Sequence, residues 1–287
     1  MQPRFLKLLV IPALVVLVIT LAAAARAAVV YNAVPSPLPP NMVSEGFQCC
    51  QVSEIGDMVQ LAGTLRQGYQ ATVVMSDWAK YSDYVSYTGS GVSASGFTHP
   101  ITLSLYADAV AAANHSPFFT VTNTFFIPWR PADDLVNCPN DSAWYMNGTC
   151  YHGLAFTITF NLSGVTLPDT FVEGISFNTN TWGYSPLGTG GPYESLNVGL
   201  LAVPPSVGVD LFPDDVWLSL GHPSGPFAPN SGWSPYTPAV QFTAYAFPSS
   251  ADDCKARKGT GWQNLMRRNG TLFHNQGECV SYVRTGR

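Results

Sequence analysis

The chain has 287 residues, 11% of them charged and 13% aromatic, with 25 glycines and 23 prolines. So few charges beside so many rings exclude a disordered chain, and they exclude a helical bundle, whose surface needs Lys, Glu and Arg. A formal charge of −5 at neutral pH speaks against nucleic acid as a partner.

That charge is unevenly spread. Residues 28–253 carry three basic side chains, Arg66, Lys80 and Arg130, against seventeen acidic ones, whereas Cys254 to Arg287 carries seven basic groups against Glu278 alone. An acidic body with a basic tail implies that the tail docks on the body or on a polyanion such as a phosphate-bearing envelope polymer.

Arg4 and Lys7 precede an apolar run, Leu8 to Ala25, that ends at the small-residue site Ala25-Arg26-Ala27. This reads as a signal peptide over residues 1–27, removed after Ala27. The run can just span a bilayer, so an uncleaved anchor is the alternative. No second segment is apolar enough to cross, and after cleavage no membrane contact is expected. Residues 28–44 form a proline-rich leader, with Val34-Pro35-Ser36-Pro37-Leu38-Pro39-Pro40 expected to lie extended along the surface.

Residues 45–252 read as one β domain. Leu154, Phe156, Ile158, Phe160 and Leu162 fall on one side of a strand, with Ala155, Thr157, Thr159, Asn161 and Ser163 on the other. Other strands are expected at Asp57 to Thr64, Ala71 to Trp78, Pro100 to Ala107, Phe118 to Ile127, Phe171 to Asn178, Ser195 to Val203, Asp214 to Leu220 and Val240 to Phe247. Glycine-rich turns at Thr88 to Gly91, Leu187 to Pro192 and Gly221 to Pro226 separate several of them. The expected fold is all-β, an antiparallel jelly-roll-like sandwich of two packed sheets, followed by a small C-terminal module.

Six cysteines in an exported chain point to disulfides. Cys138 and Cys150 bracket a polar loop whose closure stabilises by roughly 3 kcal/mol. Cys254 and Cys279 would close the basic module, residues 253–287. The neighbours Cys49 and Cys50 have three fates open: a bond to each other, pairing with another chain, or burial as free thiols. No Cys-x-x-Cys, His-x-His or His-Glu-x-x-His spacing nominates a metal site, and no cofactor is implied. Within the module, Asn275 can cap a short helix while Glu278 reaches back to it, with Val280 and Val283 facing the body or Trp262 and Phe273. A module this small needs its bridge and contact with the sandwich.

Cys254-Lys255, Gly261-Trp262, Phe273, Asn275-Gln276-Gly277 and Cys279-Val280 resemble a Cys-Lys…Gly-Trp…Phe-x-Asn-Gln-Gly-x-Cys-Val pattern at the ends of many secreted, mostly bacterial proteins. Here Ala256 to Thr260 lengthens the first gap. The body is similar to uncharacterised secreted β-sandwich proteins at Tyr31 to Gly46, Thr72 to Tyr84, Ile127 to Pro131 and Asn178 to Tyr184. The resemblance implies export and a β-sandwich, and no activity.

The stretch Asn178-Thr179-Asn180-Thr181-Trp182-Gly183-Tyr184, followed by Tyr193 and Glu194, fits a sugar-binding surface. Flat rings stack on pyranose faces and amides bond hydroxyls. Asp77, Trp78, Tyr81 and Tyr84 are candidates for a second wall. The competing structural account has these rings capping the core and the asparagines holding turns. The pairs Asp133-Asp134, Asp214-Asp215 and Asp252-Asp253 can hold calcium, or one can join a distant Glu in glycoside cleavage, but adjacent loop acids are more often solvated or capping groups. His99, His115, His152, His222 and His274 are scattered, and no Gly-x-Ser-x-Gly elbow supports a nucleophile, so no catalytic residue is nominated.

Asn-x-Ser/Thr frames occur at Asn114, Asn140, Asn147, Asn161 and Asn269, where chance gives about two, so glycosylation is a candidate if the host performs it. The function expected is a secreted or cell-surface, non-catalytic protein binding an extracellular glycan or cell-envelope polymer. A glycan-active hydrolase or lyase and a structural matrix component are the alternatives.

Overall fold

The computed structural model describes residues 27–286 apart from 90, 185–187, 222–224 and 260. The signal segment from Met1 to Arg26, and His222, lie outside the described residues. The strands that build the body are β1 (Ala28–Asn32), β2 (Ser44–Gly46), β3 (Val52–Gln60), β4 (Gln67–Asp77), β5 (Gly96–Tyr106), β6 (Phe119–Pro128), β7 (Leu154–Asn161), β8 (Thr170–Ser176), β9 (Leu196–Leu201), β10 (Val216–Leu220) and β11 (Val240–Tyr245). The helices are α1 (Phe47–Cys50), α2 (Ala109–Ala113), α3 (Ala251–Gly259) and α4 (Gln276–Thr285).

The body is an antiparallel β-sandwich. In the first sheet β7 pairs along one edge of β4, while β11 and β9 share its other edge. β1 extends the sheet beyond β11, and β2 and residues 237–238 pair with β9. The second sheet runs from residues 228–230 through β10, β3, β8 and β5 to the outer strands, with β6 also on β5 and residues 209–210 also on β3. Alternating side chains drive this pairing: on β7, Ile158 and Phe160 are buried while Thr157, Thr159 and Asn161 face solvent. The inner faces meet in one core, where Phe171 and Phe242 of opposite sheets pack edge to face with centroids 5.1 Å apart. A smaller cluster, Tyr106, Ala112, Val172, Trp217 and Phe227, seals the outer face of the second sheet under α2.

Two segments differ from expectation. Ala28–Asn32 is a strand in the sheet, and Val30, Tyr31 and Ala33 belong to the core. The prolines begin at Pro35, after the β1 ladder has ended, where no backbone donor is required of them. The third strand runs Val52–Gln60 in place of the expected Asp57 to Thr64: it starts earlier because Glu54 is a buried acid inside it, and residues 61–64 lie beyond its end.

Cys138 is bonded to Cys150 and Cys254 to Cys279, with Cα atoms 6.0 and 5.8 Å apart, and Cys49 is bonded to its neighbour Cys50. Three disulfides are what an oxidising compartment produces. In the C-terminal module, Asn275 Oδ1 accepts from the Glu278 backbone N–H at 2.8 Å. Glu278 Oε2 accepts from the His274 N–H at 2.6 Å, one residue further back than a capping box requires. Val280, Val283 and Trp262 pack on a small cluster of Leu265, Phe273 and the bridge. The module meets the sandwich where the Met266 N–H donates to the Ala246 carbonyl at 3.1 Å and the Arg268 guanidinium lies over the Phe247 ring. Its ion pairs stay local, Arg267 with Glu278 and Lys255 with Asp252; among the described residues none reaches an acid of the sheets. Among the described residues no helix is long and apolar enough to cross a membrane.

Candidate functional site

Between β2 and β3 the chain makes a single helical turn, α1, held from below by Phe47, which is fully buried and stacks on Phe177 with centroids 3.9 Å apart. The turn ends at Gln51 in the left-handed region, φ 61°, and this leaves the bonded pair Cys49–Cys50 exposed at the surface. Facing the pair is Trp78, just past β4, with 43% of its surface exposed. Its ring is held in place: the indole N–H donates to Ser76 Oγ at 3.2 Å, His152 stacks on it at 5.7 Å, and its backbone N–H donates to the Ser195 carbonyl at 3.0 Å.

The groove between them has a volume of about 320 Å³, and Ser44, Glu194, Ser195 and Asn197 contribute to its lining. Asn197 Nδ2 donates to Ser44 Oγ at 3.1 Å, which orients both. An indole and two polarisable sulfurs form apolar surface, while hydroxyls, an amide and a carboxylate converge on the same space. That combination suits a ligand with an apolar face and a hydroxyl-studded edge. Glu45 also borders the groove, but its carboxyl is buried; burial pushes it up to about 7, partly offset by a hydrogen bond from Trp233.

The residues nominated from sequence fall in several places. Trp78 and Glu194 share the groove. Asp77 is fully buried at the inner face; one carboxyl oxygen accepts from the Ala79 N–H at 3.2 Å, the other has no partner among the described residues, and burial raises its pKa. Tyr81 and Tyr84 pack on Trp129, Tyr84 stacked at 5.7 Å. Tyr193 is buried and stacks on His99 at 4.5 Å; His99 donates to the Asn178 carbonyl at 2.8 Å, and burial pulls its pKa down to about 4. The Asn180 carbonyl accepts from the Gly188 N–H, and the Trp182 N–H donates to Thr179 Oγ1. The 178–184 loop therefore docks on the far side of α1, through Thr179 Oγ1 to Gln48 Oε1 at 2.6 Å. Ser44, Cys49, Cys50 and Asn197 were not nominated; the adjacent cysteines were the one local signal for them. Asn114, Asn140, Asn147, Asn161 and Asn269 are all exposed.

Tyr184 belongs to a second constellation, on the outer face of the second sheet. Glu54, with no exposed surface, accepts from the Tyr106 hydroxyl at 2.9 and 3.0 Å and from the Tyr184 hydroxyl. The carboxylate lies over Gly174, where a Cβ would come within 2.1 Å of Glu54 Oε1. His115 Nδ1 is 2.9 Å from the Tyr184 hydroxyl and 3.5 Å from Glu54, and its Nε2–H donates to the Gly225 carbonyl at 2.8 Å. The hydrogen bond to Glu54 raises the His115 pKa above 6.5, against the opposing pull of burial. A group raised on folding stabilises fully below its unfolded value and loses that contribution as the pH climbs through the folded one. The difference in unfolding free energy between wild type and His115→Gln, from urea titrations, is therefore expected to shrink from about pH 6 to about pH 9. A flat difference would contradict the ion pair.

A third polar group, Asp57, Glu173 and Asp210, lies inside the sandwich, each carboxyl raised chiefly by burial. No protein-family model matches this chain, and no curated protein or solved structure is significantly similar to it.

Proposed function

We propose that this is an exported, non-catalytic protein that binds an extracellular glycan or glycan-containing envelope polymer in the groove between Trp78 and Cys49–Cys50. The observation that supports the reading is an exposed indole, held by His152 on one face and by Ser76 at its N–H edge, facing an exposed disulfide across a space of about 320 Å³ rimmed by Ser44, Glu194 and Asn197. A sugar ring stacks its C–H face on the indole and gives its hydroxyls to the amide and the carboxylate. Cys49 and Cys50 satisfy each other, which removes them as a link between chains in a matrix.

The test is retention on a broad panel of insoluble and soluble glycans. Wild type is expected to be retained by at least one class, and Trp78→Ala to bind it at least about tenfold more weakly, about 1.4 kcal/mol or more. Trp182→Ala, on the far side of α1, is expected to bind within about a factor of three. No retention anywhere on the panel would remove the proposal.

A further inference from the structure

The glycan groove leaves the interior acids unused. Asp57 and Glu173 stand directly opposite each other in the β3–β8 register, on the inner face with Ile55, Val59, Phe171 and Ile175. Asp210 comes from the short strand that pairs with the far edge of β3, opposite Val59, and its carboxyl neighbours that of Asp57. The Thr237 hydroxyl donates to Asp57 Oδ2 at 3.0 Å.

Two further oxygens close on this group without satisfaction. The Tyr31 hydroxyl, on a residue 1% exposed, lies among Thr237, Asp57, Asp210 and Glu173 and makes no hydrogen bond of normal geometry. Glu173 Oε2, equally buried, has no partner among the described residues. Among the described residues none of the three carboxyls has a cationic partner either. Neighbouring carboxyls in an apolar interior are stabilised by protonation or by a cation between them. A route from solvent exists: a cavity of about 400 Å³, with Pro204, Pro205, Pro213 and Pro235 among its walls, has Asp210, Asp214 and Thr237 in its lining.

We propose that Asp57, Asp210, Thr237 and Tyr31 bind a hard divalent cation of the calcium type, entering through that cavity, with Glu173 as a third negative charge behind it. The donors are all oxygen, which selects such ions over zinc or copper. Among the described residues no three acidic, histidine or cysteine side chains gather around one point. The protein's share is therefore two carboxylates and two hydroxyls, and water completes the roughly six to eight oxygens the ion takes. The site is independent of the Trp78 groove, so glycan binding and ion binding fail or succeed separately.

The experiment is calorimetric titration of calcium into chelator-washed full chain, paired with thermal melts. One ion per chain is expected, with a melting temperature raised by about 5–10 °C at a hundredfold excess over Kd. Asp210→Asn, at the cavity rim with 9% of its surface exposed, is expected to weaken binding at least about tenfold. If Asp57→Asn does not fold, terbium luminescence on the wild type supplies the second readout: excitation through Tyr31, lost on adding calcium and lost in Tyr31→Phe. No heat and no melting shift with calcium, magnesium or manganese at millimolar concentration would overturn the proposal. So would a shift of the same size in wild type and Asp210→Asn, which would place the ion elsewhere.

Discussion

Replacing Gly56 with alanine is expected to cost the sandwich about 3 kcal/mol or more and to lower its melting temperature by about 6–12 °C. Gly56 faces Gly174 across the β3–β8 ladder, and a Cβ added to it would lie 1.7 Å from the Glu173 carbonyl oxygen and 2.9 Å from the Gly174 Cα. Those are backbone atoms, and β3 is held on both edges, by β8 and by β10. A side chain would swing away; a central ladder yields only by breaking its hydrogen bonds or parting the sheets. Thermal unfolding followed by circular dichroism reads the effect directly. A Gly56→Ala protein that melts within about 2 °C of wild type would contradict the close approach of the two strands.

The second large effect is expected at Glu54. Its carboxylate is the acceptor for two tyrosine hydroxyls and neighbours His115, and it has no exposed surface. Glu54→Ala removes the acceptor, leaves the Tyr106 hydroxyl buried without a partner and opens a void, for a combined loss of about 3–5 kcal/mol. Glu54→Gln keeps one acceptor oxygen and is expected to lose about half as much. The readout that separates a local tether from general destabilisation is hydrogen exchange. The 178–184 loop and α2, both reached from Glu54 through Tyr184 and His115, should exchange faster in Glu54→Gln at temperatures where β4 and β7 remain protected. Equal acceleration throughout the chain would mean that Glu54 acts on the whole fold.

How much of this the residues announce in advance depends on whether the controlling interaction is local. β7 was legible because its alternation maps onto one buried and one exposed face, and the Asn275 cap because its partner lies three residues on. β1 was obscured by the prolines that follow it, although Val30 and Tyr31 carry its burial. The start of β3 was obscured because Glu54 looks like a surface residue, and nothing local says that Tyr106 or Tyr184 waits for it. The groove shows the same division. Trp78 and Glu194 stand out as an aromatic and an acid near turns, whereas Ser44 and Asn197 meet only through the β2–β9 pairing of distant segments. Tyr184 and Tyr193 have the composition of a sugar platform, yet their hydroxyls are committed to Glu54 and to the Thr189 carbonyl.

The basic module illustrates a second lesson. Charge segregation predicts docking, and the module does dock, but through a backbone bridge at Ala246 and the Arg268–Phe247 contact. Arg267 and Lys255 spend their charge on Glu278 and Asp252 within the last segment. Net charge sets long-range attraction, whereas short-range geometry decides which groups finally pair.

The most direct measurement of the central claim is hydrogen–deuterium exchange of the full chain with and without a saturating oligosaccharide from the retention panel. Binding at the groove predicts slowed exchange in residues 44–50, 76–78 and 194–197, with residues 203–214 unchanged. Protection confined to other segments, or none at saturation, would contradict the assignment of the glycan to Trp78 and Cys49–Cys50.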